Sequence, residues 1–193
     1  MEFFDNAYLG TPTWDIGRPQ AAIVRLATAG LIASPVLDVG CGTGENSLYL
    51  ASLGHQVVGV DLARAAIAKA VAKATPAVGA GVEFVVWDAL RVGELGRSFQ
   101  TAIDCGLFHC LAVGQRTVYA ASLRAALLPG GSAYLLCWSA RNPFGLGPEG
   151  IRKSDIRAAF HPGWSVEAIE EESLETLLPT RRVHAWLARL RRL

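Results

Sequence analysis

With 193 residues, 51% of them hydrophobic and 18% charged, the chain is long enough for one substantial α/β core and too short for two ordinary domains. Its formal net charge of +1 gives no bulk attraction to a polyanion, which argues against a nucleic-acid partner. Met1 is followed by Glu2 and Asp5 rather than by a basic stretch and an apolar run, and no apolar segment reaches the roughly 20 residues of a spanning helix, so a cytoplasmic protein with no membrane partner is expected.

In chain order, the turn-rich YLGTPTWDIGRP is followed by a helix through QAAIVRLATAG, with Pro19 at its first position. PVLDV is a short apolar strand, a glycine loop follows, and ENSLYLASLG has apolar residues at helical spacing until Gly54. QVVGVD gives a second strand, ARAAIAKAVAKA a helix, and VEFVVWDA a third strand. FQTAID, TVYAASLRAALL and GSAYLLCWS continue as strand, helix and strand. KSDIRAAF is a helix with a Ser or Asp cap, and WSVEAIEEES and RVHAWLARL alternate as two final strands. Continuous apolar strands alternating with helices imply a doubly wound sheet covered on both faces, whose ligands sit beyond the carboxyl ends of the strands. Cys41, Cys105, Cys110 and Cys137 form no Cys-x-x-Cys pair and lie in apolar runs, so they read as small hydrophobes rather than metal ligands or disulfides.

The glycine loop LDVGCGTG carries Gly40, Gly42 and Gly44. A dinucleotide fingerprint would need Gly-x-Gly-x-x-Gly, and its third glycine falls on Glu45, beside a second carboxylate at Asp38. Two negative charges suit a ligand that brings positive charge. S-adenosylmethionine has no phosphate and carries an ammonium and a sulfonium, while the following helix N-terminus can hold its carboxylate. Asp61, 21 residues after Gly40, is placed to accept both ribose hydroxyls. Asp88 ends the third strand and is placed to accept the adenine amino group, with Trp87 and Ala89 beside the ring. Other roles stay open at this point: a tight turn for the glycines, a helix cap for Asp61, a turn former for Asp88.

LDVGCGTG, VVGVD, VVWDA and LLPGG, each at the end of its own strand or crossover, together resemble the class I S-adenosylmethionine-dependent methyltransferases over nearly the whole chain. That resemblance implies a Rossmann-like seven-stranded sheet, mostly parallel with an antiparallel last strand and helices on both faces. It implies one domain over 1–193, with 1–34 as a cover segment and helix and 35–193 as the core. It also implies that Asp38, Gly40, Gly42, Gly44, Asp61, Leu62, Asp88, Ala89 and Cys105 surround the cofactor. GTPTWDIGRPQ looks like the segment before the core in thiopurine methyltransferase-like proteins and in small thiol and halide methyltransferases. It looks closer still to small actinobacterial enzymes that methylate phenolic or nitrogen heterocycles such as quinolones, a comparison that takes in CGLFHCL, RNPFGLGP and SDIRAAF…GWSVEAIE. In such proteins the N-terminal segment covers the cofactor, which assigns Tyr8, Trp14 and Arg18 to the cover; a hydrophobic staple is the alternative for Trp14. Some thiopurine methyltransferases have an arginine after the fourth-strand Asp, whereas Cys105 follows Asp104 here, which argues against a thiopurine acceptor.

Methyl transfer needs alignment and exclusion of water more than a dedicated base. His109 in DCGLFHC is the candidate base or acceptor-orienting group, and capping the next helix is its alternative. Phe108, Trp138 and Phe144 are candidate walls of an acceptor pocket, with packing in the core as the alternative for each, and RNPFGLGPEG is a candidate lid. The expected activity is methylation of O, N or S of a small aromatic or heterocyclic acceptor by a monomer or homodimer. A non-catalytic S-adenosylmethionine-binding module acting through a protein partner is the alternative, and an NAD-dependent oxidoreductase is disfavoured by Glu45.

Overall fold

The computed structural model describes residues 2–75 and 81–193. Its strands are β1 (Val36–Val39), β2 (Val57–Asp61), β3 (Val82–Val86), β4 (Phe99–Cys105), β5 (Leu127–Trp138), β6 (Trp164–Glu175) and β7 (Arg182–Arg192). They join in one sheet of order β3-β2-β1-β4-β5-β7-β6. β1 runs parallel to β2 and β4, β2 to β3, and β4 to β5. Only β7 runs against its neighbours, between β5 and β6. β6 therefore points the same way as β5, and the β6–β7 turn emerges at the edge where β1 to β5 end.

The helices are α1 (Glu2–Ala7), α2 (Ala21–Thr28), α3 (Glu45–Ser52), α4 (Arg64–Lys73), α5 (Val113–Ala126) and α6 (Lys153–Ala159), with 3-10 turns at Ala89–Glu94 and Phe108–Cys110. Every β1 residue is buried, because alternate side chains enter different layers. Leu37, Val39, Val58 and Val60 pack with Tyr119 and Leu123 of α5. Val36, Val57 and Ile103 pack with Ile23 and Leu26 of α2 and Leu50 of α3. This two-sided burial is what gives parallel strands their unbroken apolar sequences.

Several boundaries differ from the sequence reading. Pro19 lies outside α2, and Gln20 takes the cap position. α5 begins earlier than TVYAASLRAALL, and Leu127 and Leu128 already belong to β5. β3 ends at Val86, so Trp87 and Asp88 leave the sheet. Neither Ser154 nor Asp155 is the cap of α6; that position is Arg152, whose N–H donates to Asp155 Oδ2 at 2.8 Å. Among the described residues no helix is long and apolar enough to cross a membrane.

Candidate active site

The glycine loop between β1 and α3 turns where only glycine is comfortable. Gly44 caps α3 at φ 84°, and a Cβ there would stand 2.6 Å from Cζ of Phe84. Gly42, at φ 54°, has the Tyr8 hydroxyl so close that a Cβ would meet it at 2.7 Å. Its N–H donates to Asp61 Oδ2 at 2.9 Å, while Asp61 Oδ1 accepts from the Ala63 N–H at 2.8 Å. Asp61 thus ties the loop to the end of β2, holds the residue ahead of α4, and keeps further lone pairs, since a carboxylate offers about four acceptor positions.

The carboxylates around this loop sit in contrasting surroundings. Asp38 is buried, accepts from Ser47 Oγ at 2.6 Å through Oδ2, and leaves Oδ1 without a partner. Burial, opposed by the Ser47 bond and reinforced by Asp104, pushes its carboxyl up to about 7. Burial also raises Asp61. Asp104, pushed up to about 6 by burial, accepts from the N–H groups of Leu107 and Phe108 and from the Tyr119 hydroxyl, so it organises the turn after β4. Asp88 Oδ1 accepts from the Leu90 N–H at 2.8 Å and caps the first 3-10 turn, with Ala89 as that turn's first residue. Glu45 is paired with Lys73 Nζ at 2.6 Å. Its charge is balanced, so the expected repulsion of a diphosphate by Glu45 does not hold.

Residues 8–20 form a strap across this end of the sheet. On one side Tyr8 packs on Ala63 and Ala66, the Ala65 N–H donates to Asp5, and Lys69 Nζ donates to the Gly10 carbonyl. In the middle Thr43 Oγ1 donates to Asp15 at 3.0 Å, and Trp14 Nε1 donates to the Tyr8 hydroxyl at 2.9 Å. On the far side the Leu177 N–H donates to the Thr13 carbonyl at 2.7 Å. Arg18 forks onto Glu175, and Gln20 exchanges two 2.9 Å bonds with the Glu175 backbone. Tyr8 is buried, whereas Trp14 and Leu62 are exposed at the surface.

At the ends of β4 and β5, Cys105 is half-buried; burial and the nearby Asp38 and Asp104 push its thiol up. His109 is also half-buried. Its Nδ1 accepts the backbone N–H of Trp138 at 3.0 Å, and burial lowers it to about 4, which makes it a neutral imidazole. The other three acceptor-wall candidates sit in different surroundings. Phe108 is fully buried against Tyr119 and Phe160, because its side chain points into the core layer under α5. Trp138 is buried under the 141–150 loop, with Leu146 packed beside it and Gly147 so near that a Cβ would meet Cη2 at 2.7 Å. Phe144 is fully exposed.

Residues 36–131 match the Methyltransferase domain family. The chain is 33% identical over 184 residues to the 2-heptyl-1-hydroxyquinolin-4(1H)-one methyltransferase of Mycobacteroides abscessus, covering 90% of this chain and 81% of that one. The chain belongs to the S-adenosylmethionine-dependent methyltransferases. A solved structure described under the conversion of a disulfide bond into a thioacetal group during echinomycin biosynthesis superposes on this methyltransferase with a TM-score of 0.89 and 38% identity, covering 99% of this chain and 91% of that chain. The N-methyltransferase NodS of Bradyrhizobium japonicum, solved with S-adenosyl-l-homocysteine, shares the fold at a TM-score of 0.76 and 16% identity, covering 99% of this chain and 97% of that chain.

S-adenosylmethionine is the cofactor of this methyltransferase, and the residues present fit it. The unpartnered buried Oδ1 of Asp38 suits a cation, the loop has no side chain at Gly42 to obstruct close approach, and Asp61 retains acceptor capacity. The motifs did not reveal Glu175, Gln20 or Asp15. Glu175 acts on residues 154 to 157 positions away, and no local spacing encodes such a partnership.

Proposed function

We propose that this methyltransferase transfers the methyl group of S-adenosylmethionine to O, N or S of a small aromatic or heterocyclic acceptor. The observation that carries this reading is the strap. It crosses the cofactor end of the sheet and is joined to α4 on one side and to the β6–β7 turn on the other, so an acceptor has to be small enough to enter beneath or beside it. The hydroxyquinolone-methylating relative and the disulfide-to-thioacetal neighbour support a heterocyclic or sulfur-bearing acceptor.

Within this reading Asp38 faces the ammonium, Asp61 accepts the ribose hydroxyls and Asp88 accepts the adenine amino group. Gly40, Gly42 and Gly44 let the backbone pass close, and Leu62, Ala89 and Cys105 contribute contacts around the cofactor. Tyr8, Trp14 and Arg18 belong to the cover, Tyr8 by standing over Gly42 and Arg18 by fastening the strap to Glu175. The bound cofactor supplies a methyl carbon already activated by its sulfonium. The chain's task is to align the acceptor with that carbon and to keep water out. His109 is the one acceptor-wall residue whose polar edge is left for a substrate.

We read residues 1–193 as a single catalytic unit, active as a monomer or homodimer. The four unpaired cysteines fit a reducing cytoplasm, and the net charge of +1 offers no nucleic-acid footprint. Calorimetric titration with S-adenosylhomocysteine, NAD and NADP side by side tests the cofactor site, with binding expected for the first alone. A panel of phenols, thiols and hydroxyquinolones then tests the acceptor class by mass-spectrometric detection of the added methyl group. No methylated product from any of them would overturn that class.

A further inference from the structure

The hydrogen bond between Trp138 and His109 fixes more than the position of a ring. A backbone N–H can only donate, so the nitrogen that faces it, Nδ1, must hold a free lone pair. In the neutral ring the proton then sits on Nε2. Nε2 makes no hydrogen bond with the described residues, and it is not among the sealed-off polar atoms that lack a partner. To take a proton at Nε2 the ring would have to move its own proton to Nδ1, which would set two N–H groups against each other and forfeit the Trp138 bond.

We infer that His109 offers Nε2–H to the acceptor as a hydrogen-bond donor and removes no proton from it, so that the enzyme selects acceptors acidic enough to arrive as anions. This rests on the acceptor reading given above. The substrate class is then a thiolate, an N-hydroxy heteroaromatic or an acidic phenol. The anion's lone pair forms the new bond to the methyl carbon, the bond from that carbon to sulfur breaks with its pair going to sulfur, and the sulfonium becomes a neutral thioether. No proton remains to be placed.

Among the described residues of β4, β5 and the turn after β4, none offers His109 a substitute base. β4 contributes Asp104, both of whose oxygens are taken by Leu107, Phe108 and Tyr119, and Cys105, whose thiol is held in its neutral form. The turn itself contributes Cys110, pushed up to about 11 by burial, with Asp104 and Asp61 adding to it. From β5 comes Cys137, likewise pushed up by burial. No charged side chain shifts His109 itself; burial alone moves it, toward the neutral form.

Two measurements test this. Nitrogen-15 NMR of histidine-labelled protein reads the tautomer directly, without turnover, and Nε2–H throughout pH 5 to 8 is expected for His109. A Nδ1–H tautomer, or protonation near neutral pH, would overturn the inference. The second measurement is kcat/KM against pH for thiophenols and 1-hydroxyquinolin-4-ones of graded acidity, in the wild type and in His109→Gln and His109→Ala. The alkaline rise should move with the acidity of each acceptor, and it should be unchanged in His109→Gln, which keeps an N–H donor. His109→Ala should lose about tenfold to a hundredfold at every pH, the worth of one hydrogen bond to a charged acceptor. A rise pinned to one pH for all acceptors and lost in His109→Gln would make His109 a base and the proposal wrong. If S-adenosylhomocysteine binds and no acceptor is methylated, the acceptor reading fails, while the NMR result alone still decides the tautomer.

Discussion

Arg18 and Glu175 lie 157 residues apart in sequence and meet through two parallel contacts, Nη1 to Oε2 at 2.9 Å and Nη2 to Oε1 at 3.1 Å. Glu175 is nearly buried, also accepts from the Ala21 N–H and from Arg182, and has its carboxyl pKa lowered chiefly by its hydrogen bonds from Arg18. Glu175→Gln keeps the shape and removes the charge. Because the Arg18 side chain is 57% exposed, the pair is screened, and a loss of about 1 kcal/mol is expected. Affinity for S-adenosylhomocysteine should fall by roughly threefold to tenfold, with faster chymotryptic cleavage after Trp14. Unaltered cleavage and affinity would show that the strap is held without this pair.

Gly42 and Tyr8 should be coupled. Gly42→Ala strains a left-handed backbone and drives a methyl group into the Tyr8 hydroxyl. Cofactor affinity is expected to drop at least tenfold. Tyr8→Phe removes the obstructing oxygen, so the double variant should recover part of the loss, a coupling of about 1 kcal/mol in a double-mutant cycle. Strict additivity would mean that the two residues do not share the site.

Asp61→Ala removes the acceptor of two backbone N–H groups and, in the proposed site, of the ribose hydroxyls. Calorimetry should record a loss of about 3 kcal/mol in S-adenosylhomocysteine binding, roughly a hundredfold. Retained affinity would place the ribose elsewhere.

Asp38 makes pH a probe of the loop. Its carboxyl sits at about 7 in the folded chain against about 4 when unfolded, so the folded state binds the extra proton between those values. The stability it contributes is fully present below about pH 4 and is lost as pH rises through 7. From pH 5 to pH 7 this amounts to about 2 kcal/mol. Asp38→Asn should remove that slope, and urea denaturation of both proteins at the two pH values checks it. His109, lowered to about 4, has the opposite sign, losing stability as pH falls below about 6.5, and it cancels in the comparison because both proteins carry it. Cofactor binding should release a proton near pH 7, because an ammonium at Oδ1 favours the ionised form; equal heats in buffers of different ionisation enthalpy would argue against that contact.

The parallel strands were legible because each is buried on both faces and so reads as an unbroken apolar run, as in Val36–Val39 and Val57–Val60. The glycine loop was legible because positive φ at Gly40, Gly42 and Gly44 leaves a compositional mark. α1 left none, since six residues, EFFDNA, are too few to show a helical period. Phe108 and His109 are adjacent in sequence yet one enters the core and the other the site edge, a partition set by the 3-10 turn and invisible to spacing. The repulsion expected of Glu45 fails because its neutralising partner Lys73 lies 28 residues on. Which charges are free is a property of tertiary pairing, and composition cannot supply it.

The position of β7 between β5 and β6 has a consequence for how the molecule is made. Translation delivers the strap well before its anchor at Glu175, and β6 has no strand to pair with until Arg182–Arg192 has followed it. A nascent chain that has already formed the glycine loop therefore has nowhere to fasten residues 8–20 on their far side. The enclosed site is completed only by a long-range strand insertion of the kind that is slow to form.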